Sequence, residues 1–321
     1  MAASIAMALP PLLRDRLRIP VIASPLFIIS NPELVIAQCT AGVVGSFPAL
    51  NARPADELGA WIRRIQDALA DWDARHPDRL AAPFAVNQIV HKSNARLEHD
   101  LQACVDHKVP LVITSLGARP ELNHAVQSYG GIVLHDVIDD RFARKAIEKG
   151  ADGLIAVAAG AGGHAGTVSP FALISEIRTW FDGPLVLSGS IATGGAVLAA
   201  QAMGADLAYI GSAFIATEEA GATAAYKQAI VEGSAGSIVY TNAITGVHGN
   251  YLRSSLVAAG MDPDNMPVSD PSKMSFDREK PKAWKDVWGS GQGIGAVDAV
   301  VPAAALVARL ADEYAAARAR L

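Results

Sequence analysis

The chain of 321 residues is poor in cysteine; Cys39 and Cys104 are all it has. Two thiols make neither a disulfide framework nor a four-ligand zinc site. Both fall in helically patterned stretches, where a free cysteine ordinarily serves as a small buried hydrophobe. No apolar run approaches the roughly 18 residues that a membrane-crossing helix needs, which argues against a membrane protein. The apolar stretch 2–13 has no positive segment before it and runs straight into Arg14, Asp15, Arg16 and Arg18, unlike a secretion signal. Extended basic clusters are absent too. With 27 Lys+Arg against 32 Asp+Glu the formal charge is −5, which argues against a nucleic-acid or anionic-membrane surface. A soluble protein of the reducing cytoplasm is expected.

What the chain has is apolar material, 51% of its residues, enough for a large core and incompatible with disorder. Short apolar, β-branched runs at 21–26, 42–48, 84–89, 111–116, 132–137, 153–158, 185–188 and 207–211 read as eight strands. The segments 32–41, 54–74, 94–107, 119–129, 139–149, 170–181 and 193–203 read as helices, several with a start signal such as Asn31-Pro32, Asp139 or Ser169-Pro170. Strand–helix alternation implies a parallel sheet with right-handed crossovers. Eight strands, several running into Gly, Ser, Asn or His, favour a closed TIM (β/α)8 barrel over an open doubly wound sheet. The absence of G-x-G-x-x-G after the first strand weakens the dinucleotide-binding alternative. The expected layout is α/β: a barrel over 1–220 and 296–321, the latter holding most of an Ala-rich helix at 302–320, and a smaller C-terminal excursion or lid at 221–295. Because 241–295 is rich in Pro, Gly, Asn and Ser, with a charged patch at 277–286, the excursion is expected to be mostly helical or irregular and to pack over the barrel mouth.

Chemistry concentrates after the sixth strand, in Gly160-Ala161-Gly162-Gly163-His164-Ala165-Gly166. Four glycines in seven residues let a backbone approach a ligand closely, and a histidine among them can serve as acid, base or hydrogen-bond donor. A flexible loop with a solvated histidine is the plain alternative. Ser188-Gly189-Ser190 follows the seventh strand and Gly211-Ser212 the eighth, the usual places of a barrel phosphate site; two ordinary tight turns would look the same. Asn87, late in the third strand, can recognise a planar heterocycle or cap a turn. His135 and Asp136 can bind a metal, orient a substrate or satisfy loop amides, and no group of residues has convincing metal spacing. Thr245 to Tyr251, with His248, can lid the site, and Gln292 in Gly291-Gln292-Gly293 can donate to a cofactor or belong to a plain connector.

Taken together, Ala23-Ser24-Pro25-Leu26, Val86-Asn87, Gly162-Gly163-His164-Ala165-Gly166, Ser188-Gly189-Ser190, Gly211-Ser212-Ala213-Phe214-Ile215-Ala216-Thr217 and Gly291-Gln292-Gly293 resemble the nitronate monooxygenase family, formerly 2-nitropropane dioxygenases. The resemblance implies an FMN-dependent TIM barrel that oxidises a nitronate or nitroalkane with O2 to a carbonyl compound and nitrite. It makes His164 the active-site histidine, positioning the nitro oxygens or removing the α-proton. Ser188, Gly189, Ser190, Gly211 and Ser212 would hold the FMN phosphate. Backbone at Ser24, Pro25 and Leu26 and the amide of Asn87 would face the flavin ring, with Gly162, Gly163 and Gln292 completing the cofactor site. A homodimer is compatible with it. Many members carry an acidic residue four before the histidine and a polar one seven before it; here those places hold Gly160 and Val157. Related barrels act as NAD(P)H-dependent quinone or enoyl-thioester reductases. A flavin-free phosphate-ligand barrel is the alternative of another class, and the lysine or paired carboxylates it would want are missing from the strand ends.

Overall fold

The computed structural model describes residues 9–269 and 286–321, and the eight expected strands form one parallel sheet in it. In chain order the strands are β1 (Val21–Ala23), β2 (Gly45–Pro48), β3 (Phe84–Ile89), β4 (Leu111–Ser115), β5 (Ile132–Val137), β6 (Gly153–Val157), a two-residue β7 (Gly163–His164), β8 (Leu185–Ser188) and β9 (Leu207–Ile210). All but β7 belong to the barrel. β9 pairs with β1, Val21 opposite Ala208, and the last seam closes through the Ile22–Val44 bridge, where Ala23 N–H donates to Val44 O at 2.8 Å.

Helix α1 (Pro11–Arg14) precedes the barrel; α2 (Pro32–Ala41), α3 (Glu57–Arg75), α4 (Leu97–Asp106), α5 (Pro120–Gln127), α6 (Asp140–Glu148), α7 (Pro170–Arg178) and α8 (Gly194–Met203) fill the crossovers. Local chemistry starts them. Side-chain oxygens of Asn31, Asp139 and Thr193 accept the N–H of Leu34, Phe142 and Ala196, and proline occupies the first turn of α2, α5 and α7.

The barrel interior is layered by the two-residue period of its strands. Ile22, Val44, Ala85, Ile113, Leu134, Ile155, Val186 and Leu207 belong to one buried apolar cluster, which Leu9 and Leu13 join. Two residues further along each strand, on the same face, stand Ser24, Ser46, Asn87, Ser115, Asp136, Val157, Ser188 and Tyr209. Seven of these eight are polar. An apolar plug thus carries a polar floor, open toward the C-terminal strand ends.

After β9 come α9 (Ser212–Ile215), α10 (Ala224–Val231), β10 (Ile238–Thr241), β11 (Gly249–Leu252), α11 (Arg253–Ala258) and α12 (Ala303–Arg318). The sequence reading of the excursion lacks one feature, an antiparallel ribbon in the order β10–β11–β7. Its strands have four, four and two residues, too short to display a period of two, and β7 lies some eighty residues before its partner. Helix α12 packs between α8 and α2, and the excursion leaves and rejoins the barrel at one place, the Thr217–Val301 bridge. Most of the charged patch 277–286 and residues 2–8 of the apolar stretch lie outside the described residues. Among the described residues no helix is long and apolar enough to cross a membrane.

Candidate active site

The polar floor opens into a cavity of about 2100 Å³. Ordinary small-molecule pockets hold about 300–1,000 Å³, so this one has room for a cofactor and a substrate together. Ser24, Pro25, Leu26, Asn87, Gly162, Gly163, His164, Ser188, Gly189, Ser190, Gly211 and Ser212 all line it. Of the residues assigned from sequence to the cofactor and the active-site histidine, Gln292 stays outside the lining. Its side chain is exposed, and its backbone N–H donates to Gly160 O at 2.9 Å.

One wall is made by the turns after β8 and β9. Gly189 has φ +139°, where a Cβ would come within 2.9 Å of Ala159 O, and Ser190 follows in the left-handed region at φ +57°. A Cβ on Gly211 would meet Ser24 Oγ at 2.5 Å, so the first-strand turn presses against this wall. Hydroxyls of Ser188 and Ser190 and bare turn backbone face the cavity, and no carboxylate lies in these turns. That donor set fits a phosphate. The start of α8 contributes less than its position suggests, because Thr193 Oγ1 accepts from Ala196 N–H and Glu313 Oε2 accepts from Gly194 N–H at 2.7 Å.

The glycine loop and the excursion hold His164. β7 pairs with β11, Gly249 opposite His164, while Asn250 Nδ2 donates to Ala161 O at 2.7 Å. Gly291 N–H donates to Ser212 Oγ at 2.8 Å, and a Cβ on Gly162 would sit 2.8 Å from that same nitrogen. His164 Nε2 hydrogen-bonds Thr245 Oγ1 at 2.9 Å, which orients the ring. Burial pushes its pKa down to about 4, so the imidazole is neutral at pH 7.

The family model described as nitronate monooxygenase matches residues 11–313, taking in every element of this site. The chain belongs to the nitronate monooxygenase family. Among its relatives is a nitronate monooxygenase of Paraburkholderia phytofirmans, 28% identical, with 76% of each chain covered. The nitronate monooxygenase of Pseudomonas aeruginosa is 25% identical over 78% of this chain and 81% of that one. In three dimensions the chain is similar to a nitroalkane oxidase from Streptomyces ansochromogenes, with TM-score 0.81, 25% identity, and coverage of 97% and 100%. Membership makes it an oxidoreductase on the flavin-dependent barrel of this family.

Within this barrel several expectations are refined. Asn87 sits inside β3 and caps no turn; its Nδ2 donates to Ile113 O and Ser115 Oγ, which leaves Oδ1 for a ligand. His135 and Asp136 do not act as a pair, because strand alternation sends them to opposite faces. His135 turns outward to Thr114, and burial and Lys149 push its pKa down to about 4. Asp136 joins the floor. No cluster suited to a metal exists among the described residues. Both cysteines are buried, and burial pushes their thiols up to about 12, which makes them inert. His248 lines the cavity and stacks on Tyr240 at 5.0 Å. Thr245, read from sequence as part of a lid, lines the cavity and orients His164, and Tyr209 on the floor is a lining residue that sequence reasoning did not single out.

Proposed function

We propose that the protein is an FMN-dependent nitronate monooxygenase that oxidises alkyl nitronates with O2 to a carbonyl compound and nitrite. One observation carries the reading: a phosphate-fitting wall and a neutral histidine share a single large cavity over the barrel floor. Bound flavin supplies the electron transfer and the reaction with oxygen, while the protein binds, orients and excludes water. Ser188, Gly189, Ser190, Gly211 and Ser212 would hold the phosphate, and Ser24, Pro25, Leu26, Gly162, Gly163 and Asn87 Oδ1 would face the rest of the cofactor. His164, held by Thr245, meets the nitro group with an uncharged ring.

The purified protein is expected to show a flavin spectrum that bleaches without oxygen when ethyl nitronate is added, the released cofactor being FMN. His164→Asn should keep the flavin and lower kcat/KM for the nitronate by about 10²-fold, the usual scale for losing a group that meets charge on a reacting oxygen. A flavin that ethyl nitronate leaves oxidised and NADH bleaches would replace this reading with that of a reductase.

A further inference from the structure

The floor contains one group that the reading above leaves unused. Asp136 is the single carboxylate among the described residues lining the cavity. Its Oδ2 accepts the Ser115 hydroxyl at 2.5 Å, and Ser115 Oγ accepts from Asn87 Nδ2 at 2.8 Å, so three neighbouring strands hold it in place. Leu116, at φ +60° in the turn after β4, donates its backbone N–H to the same carboxyl. A non-glycine residue in that region is strained, and strain of this kind gathers where a site is held in a set geometry.

We propose that Asp136 is the base that removes the α-proton from a neutral nitroalkane bound in the cavity, so that the enzyme makes its own nitronate. In this step the Cα–H bond breaks and its electron pair enters the C=N bond of the nitronate. The proton passes to the carboxylate, and the negative charge settles on the nitro oxygens, where His164 meets it. No oxidant takes part. The inference rests on the reading of the site as nitronate-oxidising.

The titratable groups around Asp136 support the assignment. Tyr209 faces it from β9, and its phenol is held well above its ordinary pKa by burial and by the Asp136 charge, so it stays protonated. His164 lies in the loop after β6, while His135 is on the other face of β5 beside Lys149, and His135 and Lys149 also line the cavity. Burial pushes Asp136 up to about 6 against the opposing Ser115 and Leu116 hydrogen bonds. A base that titrates near 6 is ionised at pH 7 and holds a proton about 100-fold more tightly than an imidazole brought down to about 4. An anionic carboxylate in the cavity also favours an uncharged substrate over a preformed nitronate.

The test uses flavin-loaded enzyme without oxygen in D2O, following exchange of the α-hydrogens of nitroethane by NMR, alongside aerobic oxidation of nitroethane and of ethyl nitronate. Asp136→Asn keeps the volume and the Ser115 contact. It is expected to lower exchange, and the nitroethane-to-nitronate rate ratio, by about 100-fold. Ser115→Ala removes a group that favours the carboxylate, so the acid limb of the nitroethane profile should move to higher pH. If both substrates decline together in Asp136→Asn, or the variant exchanges like the wild type, the assignment fails. An unmoved limb in Ser115→Ala overturns it even where Asp136→Asn does not fold. Wild-type enzyme that oxidises the nitronate but exchanges no nitroethane removes this proposal alone. Exchange that depends on Asp136 without nitronate oxidation removes the functional reading and keeps the base.

Discussion

Burial displaces the charged forms of Asp136 and His164, and the two effects act on stability in opposite directions with pH. The native carboxyl titrates near 6, above its ordinary value of 3.8, so the folded state holds the proton more tightly. Its contribution is therefore complete below about pH 3.8 and disappears as pH rises through 6. His164 and His135 have native values of about 4 against an ordinary 6.5, so they favour the fold above 6.5 and turn against it as pH falls toward 4. At pH 7 the fold thus bears an unfavourable buried carboxylate, and Asp136→Asn should raise unfolding stability by about 1–3 kcal/mol. Urea titrations of both proteins at pH 7 and pH 3.5 check this, with the advantage shrinking at the lower pH. At this scale His164 was legible, because glycines around a histidine after a strand announce a ligand loop. Asp136 was legible as half of a pair with His135, and its reading as a partner of loop amides fits the Leu116 N–H it accepts, but which face it takes depends on strand register, and the pairing missed the alternation.

Elements divide by how local their causes are. Helix starts at Asn31, Asp139 and Thr193 are decided within four residues, so the crossover helices could be placed from the sequence. The ribbon that holds His164 was not legible, since β7 has no tendency of its own and exists only because β11 lies beside it. The two turns of the phosphate-fitting wall fall between these cases. Their positions follow from the barrel, whereas the φ of +139° at Gly189 comes from the packed backbone behind it. Gly189→Val sets a branched side chain against both that conformation and Ala159 O, a strain of about 1–3 kcal/mol concentrated in the turn. The variant should fold yet purify with little flavin, as read by its visible spectrum and by titration of added FMN.

For the whole molecule, closure depends on distant parts of the chain. The barrel read from strand–helix alternation is the one observed, but the route by which α12 reaches its place between α8 and α2 has no local signature. It is built by fit: a Cβ on Gly194 would collide with Leu310 O and Tyr314 N, so the helices touch backbone to backbone. Tyr314 Oη donates to Gln201 Oε1 at 2.5 Å beside this contact, and Arg309 steadies Glu313 at 2.8 Å. Gly194→Ala should lower stability by about 1–3 kcal/mol, since neither backbone can yield to the added methyl without parting the helices. A fall in the thermal midpoint at unchanged flavin stoichiometry is the expected result.

The junction at Thr217 and Val301 bears on how such a chain comes off the ribosome. The described residues between them form a detour that returns to its starting point, so the eight strands are synthesised well before the helix that packs between α8 and α2. During that interval the apolar flanks of α2 and α8 have no cover. A nascent barrel of this design must therefore wait for its final segment, and chaperones have their longest access to it while the material of its own active-site roof is being made.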